Sequence, residues 1–221
     1  MRDIARAELI AEAFLREQKD CGGWIVRFDF SAHEVWPILA PNDSAYIANN
    51  CLLRLYEVTK KNEYLRAAEK CAEWIIKYSR EDGLVSNGYN LAKSCWEQDN
   101  IIVDTGFTAD LFASLYIITK KKEYIDFLEK FTHAFIVQFF DPKHSLFSTS
   151  IDRKGNRQGG FFSRGQAWAL EGLIGAYEIL QNLELFELIE KCINGIIDGQ
   201  NRDGSWPYNI SRRYMGKDCK G

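Results

Sequence analysis

Several residue types are in short supply in this chain of 221 amino acids, and each shortage removes a class of protein. Proline occurs four times, methionine twice and histidine only as His33, His133 and His144. Scarce proline favours helices, and three scattered histidines supply a zinc site poorly, so no metal is expected. Basic residues are not in excess: 28 Lys and Arg face 31 Asp and Glu, a net charge of −3. A protein that neutralises phosphates needs the opposite balance, which excludes nucleic acid as an expected partner. No apolar run approaches the roughly 20 residues that cross a bilayer, so no membrane partner is expected either. Residues Met1 to Asp20 are rich in charge and alanine and lack the apolar centre of a secretory signal, which predicts a cytoplasmic protein. The six cysteines, Cys21, Cys51, Cys71, Cys95, Cys192 and Cys219, form no C-x-x-C pair. A core of this size needs no staples, so reduced and mostly buried thiols are expected.

What the chain does have is apolar mass and rings: 46% hydrophobic residues, with six Trp, ten Tyr and 14 Phe. That is enough for one sizeable core, read here as a single domain over 1–221. The chain also repeats itself. Leu55-Tyr56-Glu57-Val58-Thr59-Lys60-Lys61-Asn62-Glu63-Tyr64-Leu65 returns 60 residues later as Leu115-Tyr116-Ile117-Ile118-Thr119-Lys120-Lys121-Lys122-Glu123-Tyr124-Ile125, and more weakly from Ala176 to Phe186. The turns Gly22-Gly23-Trp24, Asp82-Gly83-Leu84 and Asp203-Gly204-Ser205-Trp206 keep nearly the same phase, with Asp141-Pro142-Lys143-His144-Ser145 in the remaining slot.

Between these markers apolar residues recur at steps of three and four, as in Tyr64, Ala67, Ala68, Cys71 and Trp74. The expected fold is all-α: helical-hairpin repeats of about 61 residues, seven helices in all, stacked as a partial (α/α)6 toroid. One helix spans 2–18, and hairpins follow near 44–80, 105–140 and 165–199. That is three and a half repeats, and six would need roughly 366 residues, so the C-terminal part of a full toroid is missing. A fragment, an open half-toroid, and a half-toroid closed by partner chains as a homo-oligomer all satisfy this count. The first helix of each pair is apolar on several faces and should be the inner one. Loops near 20–43, 81–103, 141–163 and 201–221 hold most of the Gly and Trp. Loops of that length generally carry function.

In a toroid of hairpins the N-terminal ends of the inner helices share one mouth. Reading that junction at constant phase gives Asp43, Asp104 and Arg164-Gly165, at intervals of 61 residues from Asp43 to Asp104 to Gly165. Asp43 and Asp104 could each be a helix cap. Their neighbourhood, with Trp36 before one and Trp96 before the other, instead suits a pair of carboxylates doing acid–base work in an aromatic-walled cavity. Arg164 offers a planar fork for a substrate carboxylate, Gln166 a donor and an acceptor, and Trp168 a stacking face. Gly165 and Gln166 are unusual choices for plain packing at a helix start.

The string Ser163-Arg164-Gly165-Gln166-Ala167-Trp168 resembles the S-R-G-Q-A-W signature of the unsaturated glucuronyl hydrolases, glycoside hydrolase family 88, to which the family 105 rhamnogalacturonyl hydrolases are related. Asp43 and Asp104 fall where that family places its two functional aspartates. The resemblance implies an (α/α)6 toroid and an enzyme that acts without a cofactor on the 4,5-unsaturated uronic acid left by lyases at the non-reducing end of oligosaccharides. A carboxylic acid protonates C4 of the vinyl ether, water adds at C5, and the hemiketal opens to release the saccharide. By carry-over Asp104 is the acid, Asp43 orients the substrate and holds Asp104, and Arg164, Gln166, Trp168, Trp96 and Trp36 bind the sugar. A histidine that the family carries in the loop after Asp141 has no match in phase; Phe147 occupies the slot and His144 lies beside it.

Two other classes compete. An open α-solenoid with an aromatic concave face could bind an oligosaccharide or a protein without catalysis. The Gln200-Asn201-Arg202-Asp203-Gly204-Ser205-Trp206 turn also occurs in terpene cyclases, but no D-x-D-D motif accompanies it, and toroidal sugar 2-epimerases rely on paired histidines that this chain lacks.

Overall fold

The computed structural model describes residues 2–29, 34–96, 101–152 and 154–210. Helix α1 (Arg2–Glu17) is followed by three helical hairpins. The first pairs a rod over 41–59, made of α2 (Pro41–Ile47), a π segment (Ala48–Leu53) and α3 (Arg54–Thr59), with α4 (Asn62–Tyr78). The second pairs α5 (Phe107–Thr119), entered through a 3-10 turn at Val103–Gly106, with α6 (Lys122–Phe139). The third pairs α7 (Ser163–Leu180) with α8 (Leu183–Asp198). The seven rods and their bounds agree with the sequence periodicity to within a few residues.

The phase of the repeat is written in the backbone. Lys60, Lys120 and Gln181 end the three inner helices with left-handed φ values of 57°, 57° and 50°. Each sits one residue before the outer helix's N-cap. The π segment explains a small irregularity. Asp43 to Asp104 is 61 residues but Thr59 to Thr119 is 60, so the first inner helix holds one extra residue, and a wider helical turn absorbs it. The outer helices α4 and α6 bury one face, with Tyr64, Ala68, Cys71 and Ile75 on α4 and Tyr124, Leu128, Phe131 and Phe135 on α6. On α5, by contrast, Phe107, Thr108, Ala109, Leu111, Phe112 and Ala113 are all buried, as befits a helix enclosed between α2, α6 and α7.

Glycine makes the inner helices fit closely. A Cβ on Gly172 of α7 would land on the Gly106 carbonyl oxygen, and one on Gly106 would sit 2.8 Å from the Trp168 carbonyl oxygen. The third hairpin therefore lies directly on the 3-10 turn of the second.

The loops are not featureless, which the all-helical reading did not include. They form short antiparallel strands: β1 (Ile25–Asp29), β2 (Glu34–Leu39), β3 (Tyr89–Asn90) and β4 (Cys95–Trp96) in one sheet, β5 (Ile101–Ile102), β8 (Ser150–Ile151) and β9 (Arg157–Gln158) in a second, and β6 (Phe140–Asp141) with β7 (Leu146–Phe147) as a third pair. Two-residue strands leave too little alternation for a sequence pattern to reveal. Cys21, Cys51, Cys71, Cys95 and Cys192 are free thiols, and Cys219 lies outside the described residues. Among the described residues no helix is long and apolar enough to cross a membrane, and no group of His, Cys, Asp and Glu is arranged to hold a metal ion.

Candidate active site

Asp43 and Asp104 are each delivered by a strand that runs straight into the start of an inner helix, whereas Arg164 follows Phe162, which makes an isolated bridge to Asn209. Strand β2 ends at Leu39, Ala40 is extended, and Pro41 opens α2 with its fixed φ and its missing N–H. Asn42, Asp43 and Ser44 fill that first turn. Strand β5 is anchored by the Asn87 side chain, which accepts from the Ile102 amide at 2.9 Å, and by the Val103 amide, which donates to the Thr149 carbonyl at 2.9 Å. Asp104 stands on the turn that follows. Neither helix start has a side-chain cap: the cap positions are Ala40 and Ile102. Neither Asp43 nor Asp104 occupies an N-cap position; both stand inside the first turn.

The three junctions are neighbours in space. The buried Asn42 amide donates to Asp104 Oδ2 at 2.7 Å, which ties the first inner helix to the second. One turn further along each helix stand Tyr46, Phe107 and Trp168, again at intervals of 61 residues. Their rings touch in series, Tyr46 to Phe107 with centroids 4.8 Å apart and Phe107 to Trp168 at 5.9 Å. Phe162 extends the arc, 5.6 Å from Trp168, and Tyr208 ends it, 4.7 Å from Phe162. Arg164 is exposed and stacks on this arc, its guanidinium carbon 4.8 Å from the Trp168 ring centroid and 5.3 Å from that of Phe162. No carboxylate partner holds it among the described residues. A guanidinium packed over ring faces still has N–H groups to offer an anion.

Gln166 is a correction to the sequence expectation. It is fully buried, and its amide is committed to backbone: Oε1 accepts from the Phe147 amide at 2.8 Å, while Nε2 donates to the Phe147 carbonyl at 2.7 Å and the Phe162 carbonyl at 3.2 Å. It fastens β7 to the start of α7 and cannot touch a sugar. Gly165 is likewise a packing residue, because a Cβ there would come within 2.6 Å of Val103. Trp96 is a second correction. Among the described residues its ring contacts are Trp74, Tyr78 and Tyr89, a cluster at the C-terminal end of α4 apart from the Tyr46–Phe107–Trp168 arc. Trp36 lies on β2, and its side chain is outside the described residues.

Three groups were missed by sequence reasoning. Asn42 and the pair Tyr46 and Phe107 were legible as members of the 61-residue phase. So was a deeper tier, Asn49, Asp110 and Glu171, at the same interval. The buried Asn49 amide donates to Asp110, six residues and about 9 Å along the axis beyond Asp104. Burial, followed by repulsion from Glu171, pushes the Asp110 carboxyl up to about 6, against a smaller opposing effect of Arg54. The last turn is stitched to the arc. Ser163 Oγ donates to the Pro207 carbonyl, the Ser163 amide donates to the Tyr208 carbonyl at 3.1 Å, and the Phe161 amide donates to Asn209 Oδ1 at 3.1 Å. Phe147, in the slot of the family's histidine, is buried against Phe135 and Phe140, and His144 bonds Asp141 at 3.1 Å.

Comparison with known proteins gives a consistent picture. Residues 31–214 match Glycosyl Hydrolase Family 88. An unsaturated chondroitin disaccharide hydrolase of Streptococcus pneumoniae is 22% identical over 175 residues, covering 73% of this chain and 44% of that protein. The structure of an unsaturated glucuronyl hydrolase specific for heparin superposes with a TM-score of 0.64 at 17% identity, covering 77% of this chain and 49% of that one. Cellobiose 2-epimerase from Bacillus thermoamylovorans superposes with a TM-score of 0.75 at 15% identity, covering 91% and 57%. At such identities the two structures share the toroidal fold alone. The chain spans less than half the length of the curated relatives it matches.

Proposed function

The chain belongs to glycosyl hydrolase family 88, and we propose that its rim binds the 4,5-unsaturated uronic acid at the non-reducing end of an oligosaccharide and removes it by hydrating the double bond. The observation that carries this reading is the junction of three inner-helix starts: Asp104 held by Asn42, with Arg164 presented on the Tyr46–Phe107–Trp168 arc. An unsaturated uronate offers a carboxylate for the Arg164 fork, a flat half of a ring for the aromatic faces, and an electron-rich C4 that needs a proton. In this scheme Asp104 delivers its proton to C4, the vinyl-ether electrons closing the new C–H bond. Water adds to the oxocarbenium carbon C5, giving its proton back to the Asp104 carboxylate. The hemiketal then opens, and the saccharide leaves as an alcohol. Asp43, in the first turn of the neighbouring helix, orients the sugar. Gln166 acts only by positioning α7, and Trp96 has no part.

The cellobiose 2-epimerase likeness does not favour isomerisation, because the rim residues described here include no histidine. The test is spectrophotometric. Unsaturated uronides absorb in the ultraviolet, and hydration removes that absorbance. Purified protein should bleach at least one lyase-generated disaccharide, and Asp104→Asn should abolish bleaching while helicity is kept. An unchanged rate in that variant would refute the role of Asp104. Absence of bleaching with every disaccharide, beside binding that depends on Arg164, would favour the non-catalytic α-solenoid instead.

A further inference from the structure

The aromatic arc runs on past the groups that the chemistry uses. Asp104, three residues before Phe107 and bonded to Asn42 of α2, stands at the Tyr46–Phe107 end, and Arg164 lies further along, over Trp168 and Phe162. Beyond Arg164 the arc still has a ring to come. Tyr208 is 81% exposed, and among the described residues no large apolar side chain is more so.

The segment that carries this ring is held on both sides. The Tyr208 carbonyl accepts from the Ser163 amide at 3.1 Å, and the Pro207 carbonyl accepts from Ser163 Oγ. On the N-terminal side the Trp206 indole N–H donates to the Ile196 carbonyl at 3.0 Å. On the C-terminal side the Ile210 amide donates to the Phe161 carbonyl at 2.9 Å, and the Ile210 side chain is completely buried with Leu146 and Phe161. Pro207 restricts the backbone further. These bonds involve main chain or other side chains, so none of them depends on the Tyr208 ring, whose centroid lies 4.7 Å from that of Phe162. A large ring offered to solvent on a fixed frame loses little entropy when it makes a contact, which is the profile of a recognition side chain.

The direction of the arc says what reaches that ring. Around an unsaturated uronate the order of atoms is C4, C5, ring oxygen, C1, with the carboxylate on C5. With C4 at Asp104 and the carboxylate at Arg164, the same direction of travel leads through the ring oxygen to C1 and its glycosidic oxygen. The next sugar therefore leaves the site toward Phe162 and Tyr208.

We propose that Tyr208 is a specificity-determining residue that stacks on the sugar linked to C1 of the uronate, so that the site takes a pyranose there in preference to a small aglycone. This rests on the reading of the rim given above. The flat C–H face of the pyranose lies on the phenol ring, and Phe162 backs that ring from the other side.

The test compares two ligands that share the unsaturated uronate: its methyl glycoside and a lyase-generated disaccharide. Asp104→Asn, in which turnover is absent, lets affinity be read from amide chemical shifts. The disaccharide should bind about fivefold more tightly than the methyl glycoside, the worth of one stacked ring. Adding Tyr208→Ala should weaken the disaccharide by about the same factor and leave the methyl glycoside within about twofold, with an unmoved melting temperature. Tyr208→Phe should restore the preference. Equal weakening of both ligands by Tyr208→Ala, or no weakening of either, would overturn the proposal while leaving the rim reading intact. Failure of both ligands to bind would overturn the rim reading and the stacking role with it. If Asp104→Asn still turns over, the role of Asp104 falls, and the same ratios, read from KM, decide the role of Tyr208.

Discussion

The tier beneath the rim makes a prediction about acid stability that can be worked through in numbers. The Asp110 carboxyl stands at about 6 in the fold, against an ordinary value of 3.8. Its causes are burial, then Glu171, partly offset by Arg54. A carboxyl raised by folding binds its proton more tightly in the native state than in the unfolded one. Its contribution to stability is fully present below about pH 3.8 and is lost as pH climbs through about 6. The gap between the two values corresponds to about 2–3 kcal/mol, at 1.36 kcal/mol per pH unit. Asp110→Asn is close to isosteric and keeps an oxygen for the Asn49 amide, yet it cannot ionise. Denaturant unfolding of both proteins across pH 4 to 7 should therefore give a stability difference that grows with pH. The variant should be more stable by about 2–3 kcal/mol at the neutral end, or about 5–10 °C in melting temperature for a chain of this length. A difference that stays flat across that range would refute the burial argument, because neutralising a carboxylate that carries no desolvation penalty leaves no slope.

The remaining predictions concern the rim and the contacts beneath it. Gln166→Leu should cost about 2–4 kcal/mol in chemical denaturation, because it strands buried amide and carbonyl groups of Phe147. Gly172→Ala should cost about 1–3 kcal/mol in the same measurement, since the new methyl group must push α7 away from Gly106. Arg164→Lys should raise KM for an unsaturated disaccharide about tenfold, with a smaller effect on kcat and an unmoved melting temperature, because a lysine gives up both the planar fork and the stack on Trp168.

Much of this architecture could be read from the chain because the repeat constrains it twice. Apolar residues at helical spacing locate the rods, and the Thr-Lys-Lys and Asp-Gly markers fix their phase. The same phase put Asp43, Asp104 and Arg164 at the starts of the three inner helices, and the first turns of α2, of the 3-10 segment before α5 and of α7 carry them. What escaped did so for physical reasons. Gln166 looked like a sugar ligand because a buried amide bonded to backbone has the same letter as one that faces solvent. Only the strand pairing of Phe147 distinguishes the two. Trp96 precedes Asp104 by eight residues, yet β3 and β4 turn it toward Trp74 and Tyr78. The π segment was visible only as a one-residue disagreement between two offsets. Tyr46 and Phe107 sat in phase with Trp168, but the apolar spacing that locates the helices does not say which rings reach the rim: Tyr46 is 46% exposed and Phe107 only 9%. Its edge still completes the arc.

The central claim is that Asp104 gives a proton to C4 of an unsaturated uronate. Turnover in heavy water tests it most directly. The proposal predicts that ultraviolet absorbance disappears and that the released keto sugar carries one deuterium at C4, with neither event in Asp104→Asn. Release of the saccharide with the double bond intact, or deuterium at C4 in the Asp104→Asn variant at the wild-type rate, would contradict it.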